Sequence, residues 1–209
     1  MTIAEAISFI GGLSKPSKMP CFSYSIPPWE CKTGGKLRSI KESVCAKCYA
    51  FKGRYGFPPV KNALKRRFES IGSALWVEAM TLAISGSEGS GFFRWHDAGD
   101  IQDLNHLEKI AQVARNLPSI QFWLPTREYK IVSEYVEKHG SFPTNLTVRL
   151  SAYKVDGQAP LSLARRLGVL TSTVSSGSFT CPAPNQGNKC LACRACWNKD
   201  IETISYKKH

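Results

Sequence analysis

The middle of the chain alternates between apolar patterns typical of helices and apolar patterns typical of strands. From 58 to 85 the apolar positions recur at alternating intervals of three and four, which predicts one amphipathic helix. A glycine-rich turn at 86–91 follows this helix. Beyond it the pattern predicts strands at 92–95, 120–124, 146–150 and 169–175, and helices at 104–114, 131–136 and 161–167. A short first helix is predicted from Thr2, which forms a capping box with Glu5, to Gly11.

Strands and helices that alternate at this interval favour βαβ units, and therefore a mainly parallel sheet with helices on its faces. About four strands are expected in the 209 residues, which is too few for a closed eight-unit barrel. The sequence therefore predicts a single α/β domain, built as a partial parallel (βα) barrel or a short open parallel sheet and flanked by cysteine-rich metal-binding loops. Its expected parts are an N-terminal helix with a cysteine-rich basic segment (1–57), a βα core (58–175) and a C-terminal cysteine-rich metal-binding segment (176–209).

Eight cysteines form two quartets, one towards each end of the chain. In the C-terminal quartet Cys190, Cys193 and Cys196 recur every third residue, and Cys181 is followed by proline. Bacterial ferredoxins join C-x2-C-x2-C to a distant Cys-Pro ligand in the same way. Three thiolates on one short turn can bind three irons of a cubane while the remote cysteine reaches the fourth. We therefore expect a 4Fe-4S cluster here, in preference to zinc, which usually takes two separated C-x2-C pairs.

The N-terminal quartet contains Cys21, Cys31, Cys45 and Cys48, of which only the last two form a C-x2-C pair. This spacing suits a zinc ion or a second cluster about equally, so one or two clusters are compatible with the sequence. One site with ligands from both ends of the chain is a further alternative. Disulfides are disfavoured because the chain is long enough for a hydrophobic core and begins without a secretory signal. With no apolar run of membrane-spanning length, we expect a cytoplasmic protein without a membrane partner.

The formal net charge of +12 is concentrated in one segment. Between Lys32 and Arg67 eleven lysines and arginines face a single acid, Glu42, and four aromatic residues, Tyr49, Phe51, Tyr55 and Phe57, lie among them. This composition favours a nucleic acid or another phosphate-bearing ligand as a partner. Two simpler explanations stay open: the cations balance the charge of about −2 at each four-thiolate site, or they form the solvated face of a helix.

Polar residues follow the predicted strands, where parallel α/β folds usually place their chemistry. His96, Asp97 and Asp100 follow the first strand, and Arg127 and Glu128 follow the second. These five are the candidate catalytic residues. Neighbours on a strand point to opposite faces, so His96 and Asp97 share a pocket only if the chain has already turned. As a structural alternative, Asp100 and Thr126 are placed to cap the following helices, and Arg127 is placed to pair with a carboxylate.

Several motifs together resemble a bacteriophage family, the gene product eighty-eight family, across nearly the whole chain. They are Cys45-Ala-Lys-Cys48-Tyr49-Ala50, Phe93-Arg94-Trp95-His96-Asp97-Ala98-Gly99-Asp100, Trp123-Leu124-Pro125-Thr126-Arg127-Glu128, Val148-Arg149-Leu150-Ser151 and the closing Cys190-Leu-Ala-Cys193-Arg194-Ala195-Cys196-Trp197. The resemblance implies a phage-encoded protein that works in the cytoplasm of the infected host. It supplies no activity.

A looser similarity connects the chain to radical S-adenosylmethionine enzymes, which combine a partial parallel barrel with a 4Fe-4S cluster. Those enzymes typically hold the cluster with three cysteines in C-x3-C-x2-C, which leaves one iron open. This chain has no C-x3-C, and a quartet would close the fourth iron. If one cysteine of a quartet is not a ligand, one iron of the cluster is again left without a cysteine ligand.

The leading expectation is a phage iron–sulfur protein with a redox or radical-enzyme-like role and an electron-transfer partner. A metal-stabilised nucleic-acid-binding module is the first alternative. A structural or host-interaction protein without catalysis is the second.

Overall fold

A computed structural model describes residues 1–208 of the chain as an α/β fold built on one parallel sheet. The strands are β1 (Phe22–Tyr24), β2 (Phe92–Trp95), β3 (Gln121–Thr126), β4 (Leu146–Val155), β5 (Leu170–Ser175) and β6 (Thr203–Lys207). The helices are α1 (Ile3–Phe9), α2 (Lys32–Leu37), α3 (Pro58–Ser70), α4 (Trp76–Ser87), α5 (Leu104–Asn116), α6 (Tyr129–His139) and α7 (Leu161–Arg166).

The six strands lie side by side in chain order, and every neighbouring pair is parallel. β1 and β6 are the two edges, so the sheet is open. The prediction of an α/β fold with an open parallel sheet is confirmed. All the carboxyl ends of the strands therefore lie along one edge, which we call the carboxyl edge.

The two faces of the sheet are covered by different material because side chains alternate along each strand. Phe93, Trp95, Phe122 and Leu124 are fully buried in the main core, which they share with α4 and α5. Arg94, Trp123 and Arg149 alternate with core residues and point to the opposite side, where the cysteine-rich C-terminal segment packs. We call this opposite side the second face.

Two sequence expectations about the elements were wrong in detail. The helix expected from 58 to 85 is broken into α3 and α4, because the chain turns at 71–75 and Lys109 Nζ donates to the carbonyls of Ile71 and Ser73 there. The sheet has six strands, not about four. The two that were missed, β1 and β6, lie within or beyond the cysteine-rich segments, where no helix–strand alternation announces them.

The first helix carries the predicted capping box, in which the Thr2 hydroxyl accepts from the Glu5 N–H and the Glu5 carboxylate accepts from the Thr2 N–H. Within residues 1–208 no helix is both long and apolar enough to cross a membrane.

Candidate functional site

All eight cysteines are free thiols, and the structure groups them as three and five instead of four and four. Cys31, Cys45 and Cys48 form one set, which we call the edge group. The other set, the face group, contains Cys21, Cys181, Cys190, Cys193 and Cys196. The N-terminal quartet is therefore not kept together, because Cys21 joins the thiols from the far end of the chain.

The edge group lies at the carboxyl edge, around α2. Cys31 immediately precedes this helix, and Cys45 and Cys48 lie in the loop that follows it. The pKa of Cys31 is raised by burial first, then by the Asp100 carboxylate and by the thiols of Cys48 and Cys45. These three thiols are therefore close enough for each charge to disfavour the next.

Two contacts hold this segment against the sheet. Both carboxylate oxygens of Glu128 accept from Thr33, one from its N–H and one from its hydroxyl, each at 2.7 Å. The loop after α2 bonds the end of β4, because the Val44 N–H donates to the Tyr153 carbonyl at 2.9 Å. The first turn of α2 is thereby fixed to the residue that follows β3.

Gly34 leaves space beside two of the edge-group sulfurs. A Cβ at this position would lie 3.0 Å from the Cys31 Cβ, 3.6 Å from the Cys45 Sγ and 3.7 Å from the Cys31 Sγ. The two sulfurs therefore border one small space that any side chain on Gly34 would fill. Two thiols that could donate to a metal therefore border the same space.

The face group lies on the second face, where Cys21 is buried and the other four cysteines are partly exposed. Cys21, at the start of β1, packs in a small apolar cluster with Trp123, Trp197 and Cys196. Burial, more than any neighbour, raises the pKa of Cys21 to about 12, and the Cys190 thiol adds to the shift. The Cys190 N–H donates to the Lys18 carbonyl at 2.9 Å, which joins the two ends of the chain directly. The other pKa shifts reflect the same grouping, because after burial the thiols of Cys181 and Cys193 raise the pKa of Cys190.

Arg149 anchors the C-terminal segment. This β4 residue is fully buried, and its guanidinium donates to five main-chain carbonyls at 2.8–3.2 Å, those of Thr171, Ala195, Cys196, Asn198 and Ile201. Trp197 completes the attachment, because its indole N–H donates to the Phe93 carbonyl at 2.9 Å. The chain around Cys196 is therefore held in place by the sheet itself.

Two buried N–H donors near the face group lack a hydrogen-bond partner among residues 1–208. They are Arg94 Nε and Trp123 Nε1. The guanidinium of Arg94 lies 4.6 Å from the centroid of the Trp123 ring, and Trp123 is 5% exposed. A buried donor without an acceptor costs on the order of 1–3 kcal/mol. The face group therefore lies near two buried donors for which the described residues supply no acceptor.

Three of the five predicted strand-end residues come together beside the edge group. One carboxylate oxygen of Asp100 accepts from the Thr126 hydroxyl at 2.6 Å, and the other accepts from the Arg127 N–H at 2.9 Å. Burial outweighs these bonds and raises the pKa of Asp100 to about 6. Glu128 lies next to it through Thr126, whose hydroxyl accepts from the Glu128 N–H. The Arg127 side chain donates to the Ala152 carbonyl at 3.3 Å.

Asp100 and Thr126 do not occupy the helix-capping positions that were considered as their alternative role. Asp103, not Asp100, caps α5, because its carboxylate accepts from the His106 N–H at 2.8 Å. The α6 helix begins at Tyr129, with Glu128 and not Thr126 at the capping position. Asp100 instead accepts hydrogen bonds at the carboxyl edge from the Thr126 hydroxyl and from the Arg127 and Ile101 N–H groups.

Asp97 and His96 lie beyond the end of β2, where the chain has turned, and their side chains point to different places. Asp97 accepts from the hydroxyls of Ser23, Ser25 and Tyr55. Burial opposes ionisation of Asp97, but Arg94 and these hydroxyls outweigh it and hold its pKa below the usual value.

His96 adopts a left-handed backbone (φ 54°) and is buried on the helical side, 5.5 Å from the His106 ring. Neither of its ring nitrogens has a hydrogen-bond partner in the part of the chain that the structure describes. The structure thus separates His96 from Asp100, Arg127 and Glu128.

Within residues 1–208, no three His, Cys, Asp or Glu side chains are arranged to hold a single metal ion. Thiolates around one zinc ion must converge on one point, whereas each thiolate of a cubane binds a different iron and the four lie further apart. A single zinc ion and a cubane therefore require different distances between the cysteine sulfurs.

Arg94 and Arg149 were missed as site residues by the sequence reasoning. The available signal was a charged residue at the centre of an otherwise apolar strand, in Phe93-Arg94-Trp95 and in Val148-Arg149-Leu150. A charge in such a strand needs a polar partner on the other face of the sheet.

The fold and the thiols together define a class: an open, all-parallel α/β sheet with one group of free cysteines at its carboxyl edge and another on its second face. The chain belongs to the Gene product 88 family, whose model matches residues 5–199. No curated protein and no solved structure matches it.

Proposed function

We propose that this protein binds iron–sulfur clusters, with a 4Fe-4S cluster held by four of the five face-group cysteines. The observation that carries the proposal is the meeting of five free thiols from both ends of the chain beside two unpartnered, buried N–H donors. Cys181, Cys190, Cys193 and Cys196 keep the ferredoxin-like spacing, and Cys21 is the additional candidate ligand. When bound, the cluster would supply one-electron transfer.

The edge group is the proposed second site, and three thiols suit a cluster with one iron that no cysteine binds. Zinc is the alternative metal at this site. The strands of the parallel sheet lie in chain order, and the edge group has three thiols where four were expected. Both features support a radical-enzyme-like or other redox role, because three cysteines leave one iron of a cluster open. The neighbouring residues support such a role: buried Asp100 exchanges a proton near pH 6, and Arg127 and Glu128 shape the surrounding wall.

The family supports a bacteriophage origin, and we propose that the protein works in the host cytoplasm with an electron-transfer partner. Neither strand-end catalysis nor the identity of that partner is needed for cluster binding. Cluster binding, catalysis by the strand-end residues and electron transfer to a partner can therefore be tested separately, and one can fail without the others.

Anaerobically purified protein is the material for the test, with iron, zinc and acid-labile sulfide measured together with EPR before and after dithionite. We expect about eight irons and matching sulfide for two cubanes, or about four if the edge group holds zinc. Cys190→Ser and Cys48→Ser should each remove only one of the two metal complements. Zinc without sulfide in the native protein, together with failed reconstitution by iron and sulfide, would refute the proposal.

A further inference from the structure

An exposed aromatic surface lies beside the edge group. Trp29, Tyr49, Phe51 and Phe57 are 46%, 43%, 36% and 59% exposed. Single exposed apolar side chains are common on proteins, but several within one short stretch indicate a binding surface. We call these four residues the aromatic surface.

A cavity of about 300 Å³ opens within this surface. It is lined by Trp29, Ala50, Phe51, Tyr55, Gly56 and Lys61. Trp29 is two residues before Cys31, and Ala50 is two residues after Cys48, so the segments that carry edge-group thiols also form the cavity wall. A ligand in the cavity would therefore lie next to the edge group.

The charge around the cavity is positive, although two of the eleven segment cations are used by the fold. Arg67 is 7% exposed and donates to the Gly11 carbonyl and the Ser14 hydroxyl, and Lys32 Nζ donates to the Gln102 carbonyl. The exposed remainder includes Lys36, Arg38, Lys47, Lys52, Arg54, Lys61 and Arg66. Glu42, the one acid of the segment, has its carboxylate 3.5 Å from the ammonium of Lys154, a cation outside the segment.

Aromatic rings and cations also alternate in space here. The Arg38 guanidinium lies 3.6 Å from the centroid of the Phe51 ring, and the rings of Tyr49 and Tyr55 are 6.0 Å apart. Flat rings with cations between them can stack bases and contact phosphates in one strand, and they do so with little sequence preference. A duplex hides the faces of its bases and would lose the stacking.

From these observations we propose that the aromatic surface binds single-stranded nucleic acid, with bases stacked on Trp29 and Phe51 and phosphates contacted by Lys61 and its neighbours. This inference rests on the proposed function in one respect: the bound strand would lie beside the edge group, which makes a nucleic acid the substrate class of that site. The strand itself binds without help from the cluster.

The test uses the intrinsic fluorescence of Trp29 in anaerobically purified protein. The other four tryptophans are at most 5% exposed, so a stacked base should quench mainly the Trp29 emission. Oligothymidylate and oligouridylate of about 20 nucleotides are titrated against a duplex of equal length, over a range of salt concentrations. We expect quenching and tighter binding with the single strands, and affinity that falls steeply with salt.

Variants separate stacking from general charge. Fluorescence anisotropy of a labelled strand measures the affinity of each variant. Trp29→Ala and Phe51→Ala should each weaken binding about fivefold or more. Leu75→Ala, which changes a comparably exposed apolar residue elsewhere, should not weaken it. Lys61→Ala should reduce the salt slope by about one, and Lys130→Ala, a cation on α6 whose side chain is 90% exposed, should leave it unchanged.

Equal affinity for the duplex, or Trp29→Ala binding like the native protein, would overturn the inference. Iron and sulfide measured on the same sample distinguish the two proposals. Binding by a protein that cannot take up iron would contradict only the proposed function. Absence of binding by a protein with a full complement of iron would contradict only this inference.

Discussion

Single buried polar residues carry much of the organisation of this molecule. Arg149 is fully buried, yet its guanidinium donates to four carbonyls of the chain that passes over the second face and to the Thr171 carbonyl of β5. At the carboxyl edge Asp97 accepts hydrogen bonds from Ser23, Ser25 and Tyr55, and Glu128 accepts two from Thr33. The position of the cysteines therefore depends on charged residues that are not ligands.

Arg149→Met should destabilise the protein strongly, because five buried carbonyls would lose their donor. We expect the free energy of unfolding to fall by at least about 3 kcal/mol in urea titrations. Arg165→Met is the matched control: this exposed arginine pairs with Glu202 at 2.7 Å, so its loss should leave the free energy of unfolding nearly unchanged. Similar losses for the two variants would show that the five bonds do not hold the segment.

His106 should make stability fall in mild acid. Burial lowers its pKa from about 6.5 to about 3, and the nearby charge of Lys109 adds a smaller shift in the same direction. Below pH 6.5 the unfolded chain therefore binds a proton that the folded chain does not. Stability is full above pH 6.5 and is lost progressively as the pH falls towards 3.

Urea unfolding at pH 7.5 and 5.5 measures this effect. The native protein should lose on the order of 1 kcal/mol more than His106→Gln, whose side chain does not titrate. His96 faces His106 and is also buried with a lowered pKa, so some pH dependence should persist in the variant. An unchanged pH dependence would argue against burial of a neutral His106.

Among the helices, the short α2 has the most direct effect on the edge group, because Cys31 precedes it and Cys45 and Cys48 lie in the loop that follows it. The two turns of α2 contain Gly34 and Gly35, poor helix formers, and the helix is held by Glu128 through Thr33. Tertiary contacts therefore override a weak local preference. The long pattern from 58 to 85 shows the converse, because a strong periodicity continued across a real break at 71–75.

Gly34→Ala and Gly35→Ala form a matched pair within α2. The new methyl at Gly34 would lie 3.0 Å from the Cys31 Cβ, tighter than an ordinary contact, and would take up the space beside the Cys45 sulfur, whereas at Gly35 nothing lies within 4 Å of it. We expect Gly34→Ala to lose the metal of the edge group while Gly35→Ala retains it and gains up to about 1 kcal/mol of stability. Metal analysis and thermal unfolding of both variants make the comparison. Full metal content in Gly34→Ala would place the metal away from this space.

The whole molecule brings its two ends together on the second face. Cys21 lies before the first strand and Cys190 near the last, yet after burial the charge of the Cys190 thiol contributes to the raised pKa of Cys21. The sheet separates this face group from the helical layer, and the edge group lies at its carboxyl edge. If each group binds the metal proposed for it, the two metal complements should therefore behave independently.

Cys21→Ser tests the grouping of three and five against the two sequence quartets. We expect it to perturb the EPR signal assigned through Cys190→Ser and to leave the one assigned through Cys48→Ser unchanged. Grouping by sequence position would give the reverse result. Iron content, expressed per folded protein, provides the second readout.

The sequence by itself determined the alternation of strands and helices, the parallel sheet, the first helix with its capping box and the carboxyl-edge position of Asp100, Arg127 and Glu128. Each follows from local periodicity or from the polarity of parallel strands. Only the tertiary structure decided that Cys21 joins Cys190, that His96 turns into the helical layer, and that Arg94 and Arg149 face the cysteine-rich segment. These outcomes depend on contacts between residues far apart in the chain, and spacing along the sequence carries no information about such distances.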